Sequence, residues 1–319
     1  MHVVVTGAAG FIGSHTCERL VARGHRVTGI DSFDGYLYPA EPKRRNAAEL
    51  KGVTLVEGDI CDAAVIERVI TRDVDVVCHL AALAGVRPSL AQPLRYMRAN
   101  VEGTTVIIER MRALGLQRLV FASSSSVYGA KPGTDVAAFR EDDPCLTPAS
   151  PYAATKRMGE LLLSTYRDLF GLGVSALRFF TVYGPRQRPD MAIAKFVDAI
   201  RHDRPITLFG DGTSRRDYTY IDDIVTGTVA AIERVQPAQY AIYNLGGTHT
   251  ISLAELVATI ERVIGKRAVI ERQPDQPGDV PITYANIDRA NAELGYQPTT
   301  RPDEGIERYW AWLAGRPMP

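Results

Sequence analysis

The stretch Val3-Val4-Val5-Thr6-Gly7-Ala8-Ala9-Gly10-Phe11-Ile12-Gly13 decides the fold. Its β-branched run predicts a buried strand, and its glycines predict a tight turn that leads into a helix. A phosphate can approach such a turn closely, and the free N–H groups at the start of the following helix bind anions. The stretch therefore predicts the pyrophosphate site of a dinucleotide-binding domain.

A second predicted strand ends at Asp31, which follows Gly13 by 18 residues. A carboxylate at this position accepts hydrogen bonds from both adenosine ribose hydroxyls and repels a 2′-phosphate. NAD is therefore expected rather than NADP. Arg44 and Arg45 would change this expectation only if a folded loop brought them back toward Asp31.

Apolar strand-like runs alternate with amphipathic stretches through the first half of the chain. The predicted strands are Val3–Thr6, Arg26–Ile30, Val53–Glu57, Val74–His79, Arg118–Ala122 and Val174–Phe179. The predicted helices are Gly13–Arg23, Ala63–Thr71, Leu94–Leu114 and Pro151–Phe170, followed later by Ser252–Ile264 and Pro302–Ala314. This alternation predicts an α/β fold with a Rossmann-type, doubly wound parallel sheet.

Prolines and glycines interrupt this pattern after about residue 180, where a smaller mixed α/β substrate-binding domain is expected. A chain of 319 residues is long enough for two such lobes. We expect residues 1–180 to form the NAD-binding domain, with residues 217–247 returning to it. Residues 181–216 and 248–319 are then expected to form the substrate-binding domain.

The composition excludes several classes of partner. Lysine plus arginine (37) balance aspartate plus glutamate (37), which argues against a nucleic-acid binder. The sequence has no apolar run of the length that a transmembrane helix needs, so no membrane partner is expected. The four cysteines are Cys17, Cys61, Cys78 and Cys145, and they lie far apart without a metal-ligand spacing. They predict reduced thiols, no metal site and a cytoplasmic protein.

Tyr152 and Lys156 indicate a proton-transfer site. Ser150 is a suitable N-cap and Pro151 suits the first helical position, so a helix is expected to begin here. The i, i+4 spacing places the phenol and the ammonium on one helix face, where the positive charge would favour the phenolate. Such a tyrosine can act as general base toward a sugar or alcohol hydroxyl.

A run of four serines, Ser123–Ser126, follows the predicted strand Arg118–Ala122. Open α/β sheets bind their ligands at the carboxyl ends of their strands. A hydroxyl at this end could therefore hold the reacting oxygen next to Tyr152.

Together these motifs resemble the extended short-chain dehydrogenases/reductases, in particular the NAD-dependent epimerase/dehydratase family. The resemblance rests on the glycine turn, Asp31, Gly58-Asp59-Ile60, His79-Leu80-Ala81-Ala82, Asn100, Ser124, Tyr152/Lys156, Tyr183-Gly184-Pro185 and Arg216-Asp217. It implies a catalytic set of Ser124, Tyr152 and Lys156. It also implies that His79 packs at a strand end without acid/base work. Members commonly dimerise through two helices each, so a homodimer through Leu94–Leu114 and Pro151–Phe170 is expected.

The resemblance also implies which residues bind NAD. They are Gly7, Gly10, Phe11, Ile12, Gly13, Asp31, Ser32, Asp59, Ile60, Leu80, Ala81, Ala82, Asn100, Ala122, Tyr152, Lys156 and Phe180. Within this set, Asp59 and Ile60 are expected at the adenine, and Ala81 and Ala82 are expected along the cofactor.

Ser125 and Ser126 favour one reaction within the family. Dehydratases of this family carry an acidic pair at these positions, and decarboxylases carry a glutamate just before the Val-Tyr-Gly motif. Elimination needs an acid for the departing hydroxyl and a base at C5, and neither serine can serve as either at neutral pH. Epimerisation at a single carbon is therefore expected.

The substrate half is similar to that of family members that epimerise UDP-glucuronate at C4. The similar segments are Thr181–Ala192, Arg215–Asp223 and Gln276–Pro281. The expected substrate-binding residues are Arg87, Ser125, Ser126, Thr181, Arg188, Phe209, Arg216, Gln276 and Asp279. Ser125, Ser126 and Thr181 would bind the sugar carboxylate, with Arg188 nearby.

The same similarity assigns the nucleotide contacts. Arg216 would bind the diphosphate, Asp279 the uridine ribose, and Phe209 the uracil. By family resemblance, Tyr152, assisted by Ser124 and Lys156, would remove the C4 hydroxyl proton. The C4 hydride would pass to NAD+ in the same step, and the 4-keto sugar would turn within the site before the hydride returns to its opposite face.

Two alternatives stay open on the sequence. A UDP-glucose/UDP-galactose 4-epimerase is the nearer one, although such enzymes usually have asparagine in place of Thr181 and arginine in place of Gln276. A non-catalytic NAD-sensing protein on the same fold is the other, and the intact Ser124, Tyr152 and Lys156 set argues against it.

Overall fold

The computed structural model describes residues 1–129, 138–274 and 282–315. Its strands are β1 (His2–Thr6), β2 (Arg26–Asp31), β3 (Val53–Glu57), β4 (Val76–His79), β5 (Arg118–Ser124), β6 (Gly173–Phe179), β7 (Thr181–Tyr183), β8 (Ile206–Phe209), β9 (Arg215–Tyr220), β10 (Tyr240–Leu245), β11 (Thr250–Ser252), β12 (Ile270–Gln273) and β13 (Ile282–Thr283). Its α-helices are α1 (Phe11–Ala22), α2 (Glu41–Glu49), α3 (Ala63–Val69), α4 (Val86–Ala91), α5 (Pro93–Met97), α6 (Gly103–Leu114), α7 (Pro151–Phe170), α8 (Ala192–Arg201), α9 (Ile221–Arg234), α10 (Leu253–Ile264), α11 (Asp288–Leu294) and α12 (Pro302–Ala314).

The central sheet has seven parallel strands in the order β10-β6-β5-β4-β1-β2-β3. The strand order reverses between β1 and β4, and ligands of such sheets bind at this reversal, beyond the carboxyl ends of the strands. Val5 lies at the centre of the sheet, paired with Gly29 on one side and Cys78 on the other. The predicted Rossmann-type fold is confirmed.

A smaller mixed sheet lies beyond the central one. In it β9 pairs with β11 antiparallel and with β7 and β13 in parallel, while β12 pairs with β8 separately. Residues 217–247 contribute to both regions, because β9 belongs to the smaller sheet whereas β10 joins the central sheet beside β6. Helix α9, between these strands, packs against α1.

Local sequence signals set the ends of the helices that border the site. Ser150 caps α7 by accepting a hydrogen bond from the N–H of Ala153 at 3.1 Å, and Pro151 takes the first helical position. Helix α7 ends at Gly171, whose φ of +71° is the left-handed conformation that terminates helices. The predicted start of this helix is confirmed.

The predicted helix over 94–114 contains an irregularity that the sequence did not predict. Helices α5 and α6 are joined by a π-helical turn over Arg98–Glu102, which contains the buried Asn100. π-Helical turns inside helices are rare and are frequent at functional sites. Periodicity cannot detect such a turn, because it inserts a single residue into an otherwise regular apolar pattern.

No helix in the described part of the chain is long and apolar enough to cross a bilayer. The same residues contain no cluster of histidine, cysteine, aspartate and glutamate that could hold a metal ion. All four cysteines are described, and all are free thiols.

Candidate active site

A cavity of about 900 Å³ opens at the carboxyl edge of the central sheet. Of the residues expected to bind the cofactor, those that line it are Gly7, Gly10, Phe11, Ile12, Gly13, Asp31, Ser32, Asp59, Ile60, Leu80, Ala81, Ala82, Ala122, Tyr152, Lys156 and Phe180. Ser124, Ser125, Ser126, Thr181 and Arg188 line the same cavity. The site predicted from scattered motifs is thus brought together in one place.

The glycine turn is tightly packed. A Cβ on Gly13 would lie 2.0 Å from the carbonyl oxygen of Gly7, and one on Gly10 would lie 3.0 Å from the same atom. Gly7 has a φ of +70°, which L side chains rarely adopt. Helix α1 begins immediately afterwards, so its free N–H groups lie beside the cavity. This arrangement fits the pyrophosphate of a dinucleotide.

Asp31 lies at the end of β2 with its carboxylate fixed by backbone groups. It accepts hydrogen bonds from the N–H of Phe33 at 2.8 Å and from that of Ala9 at 3.1 Å. Burial raises the pKa of Asp31, whereas these N–H groups and the nearby Lys43 lower it. The carboxylate is therefore held in place at the cavity wall, as binding of a ribose diol requires.

Neither Arg44 nor Arg45 places its positive charge beside the carboxylate of Asp31. Arg44 pairs with Glu57 at 3.0 Å, and its guanidinium stacks over the ring of Phe33 at 4.6 Å. Arg45 lines a different cavity. Lys43, which sequence reasoning missed, is the cation beside Asp31, and its ammonium donates a hydrogen bond to the carbonyl oxygen of Asp34 at 2.5 Å.

Tyr152 projects from the first turn of α7 toward Ser124 at the end of β5. Ser124 accepts a hydrogen bond from the N–H of Ser126 at 3.2 Å, so its own proton is free to donate to the phenol oxygen. Burial raises the pKa of Tyr152, while the bond from Ser124 and the positive charge of Arg188 lower it. The cation acting on the phenol is therefore Arg188, which the sequence had placed at the substrate.

The ammonium of Lys156 is held at the end of β5. It donates a hydrogen bond to the carbonyl oxygen of Ala122 at 2.6 Å and lies over the ring of Phe121 at 5.1 Å. Burial lowers the pKa of Lys156 to about 7, against the opposing effect of Glu160. The lysine thus joins α7 to the end of β5, the strand that carries Ser124.

The lowered pKa of Lys156 predicts a pH-dependent stability. Between pH 7 and the ordinary lysine pKa near 10.4, the unfolded chain binds a proton that the folded chain has lost. The free energy of unfolding of the wild type should therefore rise relative to that of Lys156→Met, by roughly 1 kcal/mol per pH unit. Urea unfolding at pH 7, 8 and 9 measures this difference, with Lys51→Met as the control at an exposed position. Parallel pH profiles for wild type and Lys156→Met would contradict the assignment.

Arg188 is fixed at the opening of the cavity by Asp190. The guanidinium donates two hydrogen bonds to that carboxylate, at 2.9 and 2.6 Å, which is the bidentate geometry that holds arginine most firmly. Ser125, Ser126 and Thr181 border the same space with neutral hydroxyl groups. The region beside Tyr152 therefore offers a fixed guanidinium, paired with Asp190, and several hydroxyl donors, which suits a sugar that carries a carboxylate.

A second cavity of about 1040 Å³ contains the other described residues that were expected to bind substrate. Arg87, Phe209 and Arg216 line it, and the guanidinium of Arg87 lies 5.2 Å from the ring centre of Phe209. Asp190 lines both cavities, so the two spaces are neighbours. Gln276 and Asp279 lie outside the described residues.

Asn100 lies behind the wall of the first cavity. Its amide accepts from the N–H of Leu83 at 2.8 Å and donates to the carbonyl oxygen of Leu83 at 2.9 Å. Leu83 itself lines the cavity. Asn100 itself does not line the cavity, so it would affect a bound cofactor by fixing the backbone of Leu83.

The loop that carries Arg188 is joined to α1 and α2 by ion pairs that the sequence did not predict. Arg186 donates to Glu18 of α1 at 2.7 and 2.9 Å and to Glu49 of α2 at 3.0 Å. These partners lie far from Arg186 in the sequence, and only the folded chain brings them together.

Comparisons with known proteins bear on the identity of this site. Residues 3–246 match the family described as the NAD dependent epimerase/dehydratase family. The chain belongs to this family. It is 41% identical over 316 residues to the UDP-glucuronate 4-epimerase of Thermodesulfobacterium geofontis, with 98% of this chain and 95% of that protein covered.

Two solved structures of similar proteins cover nearly all of the chain. The UDP-glucuronic acid 4-epimerase of Bacillus cereus, in complex with UDP-glucuronic acid and NAD, is 38% identical with a TM-score of 0.89 and covers 98% of this chain and 99% of its own. The UDP-glucose 4-epimerase of Thermus thermophilus, in complex with NAD, is 33% identical with a TM-score of 0.88 and covers 99% of both chains.

Proposed function

We propose that this protein is an NAD-dependent UDP-sugar 4-epimerase that interconverts UDP-glucuronate and UDP-galacturonate. The observation that carries the proposal is one cavity in which a dinucleotide turn, the Ser124 and Tyr152 pair, and the hydroxyl-lined region around Arg188 all meet. The similarity to UDP-glucuronate 4-epimerases over nearly the whole chain supports it.

The cofactor in this proposal is NAD, held by Gly7, Gly10 and Gly13 at its pyrophosphate and by Asp31 at its ribose. When bound, NAD would accept a hydride from C4 of the sugar and return it to the same carbon. The relatives whose structures contain NAD support this choice.

Tyr152 is the proposed general base for the C4 hydroxyl. Its phenol is half-buried in the wall of the cavity, and a hydrogen bond from the hydroxyl of Ser124 favours the phenolate. The guanidinium of Arg188 favours the same ionised form. Lys156 holds the end of β5 against α7 and so fixes the distance between Ser124 and Tyr152.

The substrate carboxylate is proposed to lie among Ser125, Ser126, Thr181 and Arg188. A 4-keto uronate is a β-keto acid, and it loses CO2 when its carboxylate stands perpendicular to the carbonyl plane. Hydroxyl donors that hold the carboxylate in another orientation would suppress this loss. UDP is proposed to occupy the second cavity, where Arg216 would pair with the diphosphate and Phe209 would stack on uracil, with Arg87 nearby.

Incubation with UDP-glucuronate and, separately, with UDP-glucose tests the proposal, with the epimers resolved by NMR. We expect UDP-galacturonate from the first and at most slow conversion of the second. Efficient conversion of UDP-glucose alone would favour the UDP-glucose/UDP-galactose alternative, and NAD binding without turnover would favour the NAD-sensing protein. A large yield of UDP-pentose would mean that the 4-keto uronate loses CO2, and it would contradict the proposal that the hydroxyl groups fix the orientation of the carboxylate.

The protein is also proposed to form a homodimer through α5 and α7. These helices pack against each other, yet they expose large apolar side chains: Leu94 of α5, with 83% of its surface exposed, and Met158, Leu161, Leu169 and Phe170 of α7. Several large exposed apolar side chains on neighbouring helices are typical of a subunit interface. The predicted cytoplasmic location and the division into two domains stay predictions.

Leu161→Glu tests the homodimer. A charge at this position, half exposed on α7, would be buried without a partner in the dimer, so analytical ultracentrifugation should show a monomer. Leu146→Glu is the control, because Leu146 is 82% exposed in a loop outside both helices. A dimer that persists in Leu161→Glu would place the interface elsewhere.

A further inference from the structure

A buried histidine behind the cavity joins elements that the site depends on. His79, at the end of β4, is 1% exposed. Its Nδ1 lies 2.7 Å from the hydroxyl oxygen of Thr6 on β1, and its Nε2 lies 2.9 Å from the hydroxyl oxygen of Thr104 on α6. Both ring nitrogens are therefore engaged by hydroxyl groups, each of which can donate or accept.

The partners of these two hydroxyls set the direction of the bonds. Thr6 accepts a hydrogen bond from the N–H of Ala81 at 3.0 Å. Thr104 donates its proton to the carbonyl oxygen of Asn100 at 2.6 Å. Burial lowers the pKa of His79 to about 3, so the ring is neutral and carries a single proton.

Only one tautomer satisfies all of these groups. If Nε2 carries the proton, it donates to Thr104, and Thr6 donates to the bare Nδ1. If Nδ1 carried it, the hydroxyl proton of Thr6 would have no acceptor among the contacts of the described residues. A buried donor without an acceptor is costly, so the Nε2–H tautomer is favoured.

The chain of bonds continues from Asn100 to the catalytic helix. The side chain of Asn100 holds both backbone groups of Leu83 and also donates to the hydroxyl of Thr155 at 3.0 Å. Thr155 in turn donates to the carbonyl oxygen of Tyr152 at 2.7 Å. A single directed network therefore runs from Ala81 in the cavity wall to the backbone of Tyr152.

We propose that His79, fixed as the Nε2–H tautomer, is a positioning residue that sets the distance between the cofactor wall and the first turn of α7. The imidazole is the only member of the network that spans from β1 to α6, and its two nitrogens have opposite roles. A ring with the opposite tautomer would reverse the bond to Thr6 and leave the hydroxyl proton of Thr6 without an acceptor among the contacts of the described residues. The kinetic part of this inference rests on the proposed function, whereas the tautomer does not.

The tautomer can be measured directly on the wild-type protein. Ring ¹⁵N labelling of its six histidines, followed by NMR, should show that the ring of His79 is neutral with the proton on Nε2. Its assignment to His79 would come from proximity to the ring of Phe121, whose centre lies 5.8 Å away. A protonated Nδ1 or an imidazolium at His79 would overturn the inference, whether or not the protein is an epimerase.

Two adjacent threonines provide a matched pair of variants. Thr104 and Thr105 both lie on α6 and both donate to the carbonyl four residues earlier, at 2.6 and 2.9 Å, but only Thr104 also accepts from His79. Thr104→Val should lower kcat about tenfold by displacing Tyr152 and the cofactor wall. It should also shift the Nε2 signal of His79, because that N–H loses its acceptor, whereas Thr105→Val should change neither kcat nor the ring signals.

Thr104→Ser restores the hydroxyl and should recover both kcat and the wild-type ring signals. The KM for the UDP-sugar should stay near its wild-type value in all three variants, because the second cavity is not touched by the network. A loss of thermal stability in Thr104→Val with unchanged kcat would show a structural role only and would overturn the proposal. If the wild type itself fails to epimerise, the proposed function fails while the ring tautomer still decides this inference.

Discussion

Replacing Tyr152 with phenylalanine should lower kcat at least about a hundredfold, the usual contribution of a general base. The phenol oxygen is the atom that would take the C4 hydroxyl proton, and the hydroxyl of Ser124 favours its ionised form. The ring itself is retained, including its edge contact with Tyr96 at 6.2 Å. The variant should therefore fold normally and bind UDP-glucuronate with near-normal affinity.

Turnover measured by NMR and binding measured by calorimetry separate these effects. Tyr240→Phe is the matched control, because the Tyr240 hydroxyl also bonds to α7, at the carbonyl oxygen of Glu160, but lies outside the cavity. It should leave kcat almost unchanged. Turnover by Tyr152→Phe within a few-fold of the wild type would reject Tyr152 as the base.

Gly13→Ala should abolish cofactor binding and, with it, activity. The new methyl group would lie 2.0 Å from the carbonyl oxygen of Gly7 and 3.1 Å from the Cα of Ala8. These are backbone atoms of the turn, so the strain can be relieved only by moving the turn away from α1. A shift of this kind should lower turnover by at least about a hundredfold, since misplacement by 1 Å can cost that much.

NAD released from purified protein by denaturation, quantified by chromatography, measures the first effect. Gly35→Ala is the matched control, because a Cβ there meets no atom within 4 Å. It should carry as much NAD as the wild type. Full NAD content in Gly13→Ala would show that the glycine turn does not bind the pyrophosphate.

The sequence was sufficient to predict the central sheet because its signals are local. The β-branched run before Gly7, the cap at Ser150 and the serine run after β5 each depend on neighbouring residues only. Parallel strands then bring their carboxyl ends to one edge of the sheet by geometry. For this reason Asp31, Ser124 and Tyr152 could be placed together before the structure was known.

Contacts between distant segments could not be predicted in this way. The i, i+4 spacing predicts that Lys156 and Tyr152 share a helix face. It does not predict that the ammonium donates a hydrogen bond to the buried carbonyl oxygen of Ala122. The cation that acts on Tyr152 is Arg188, which follows it by 36 residues and reaches it only through a folded loop. Lys43 beside Asp31 depends on a loop of the same kind.

The separation of the substrate residues into two neighbouring cavities was likewise not predictable. Thr181 and Arg188 lie in one segment of the chain and line the first cavity together with Tyr152. Arg87 lies in α4 and lines the second cavity. Sequence motifs name the residues that contact a ligand but not the side from which each one approaches.

Epimerisation with UDP-glucuronate that carries deuterium at C4, run in ordinary water, tests the central claim most directly. If one bound cofactor accepts and returns the same hydrogen, the UDP-galacturonate formed should keep its deuterium at C4. Loss of the label to solvent, or the absence of UDP-galacturonate, would contradict the account.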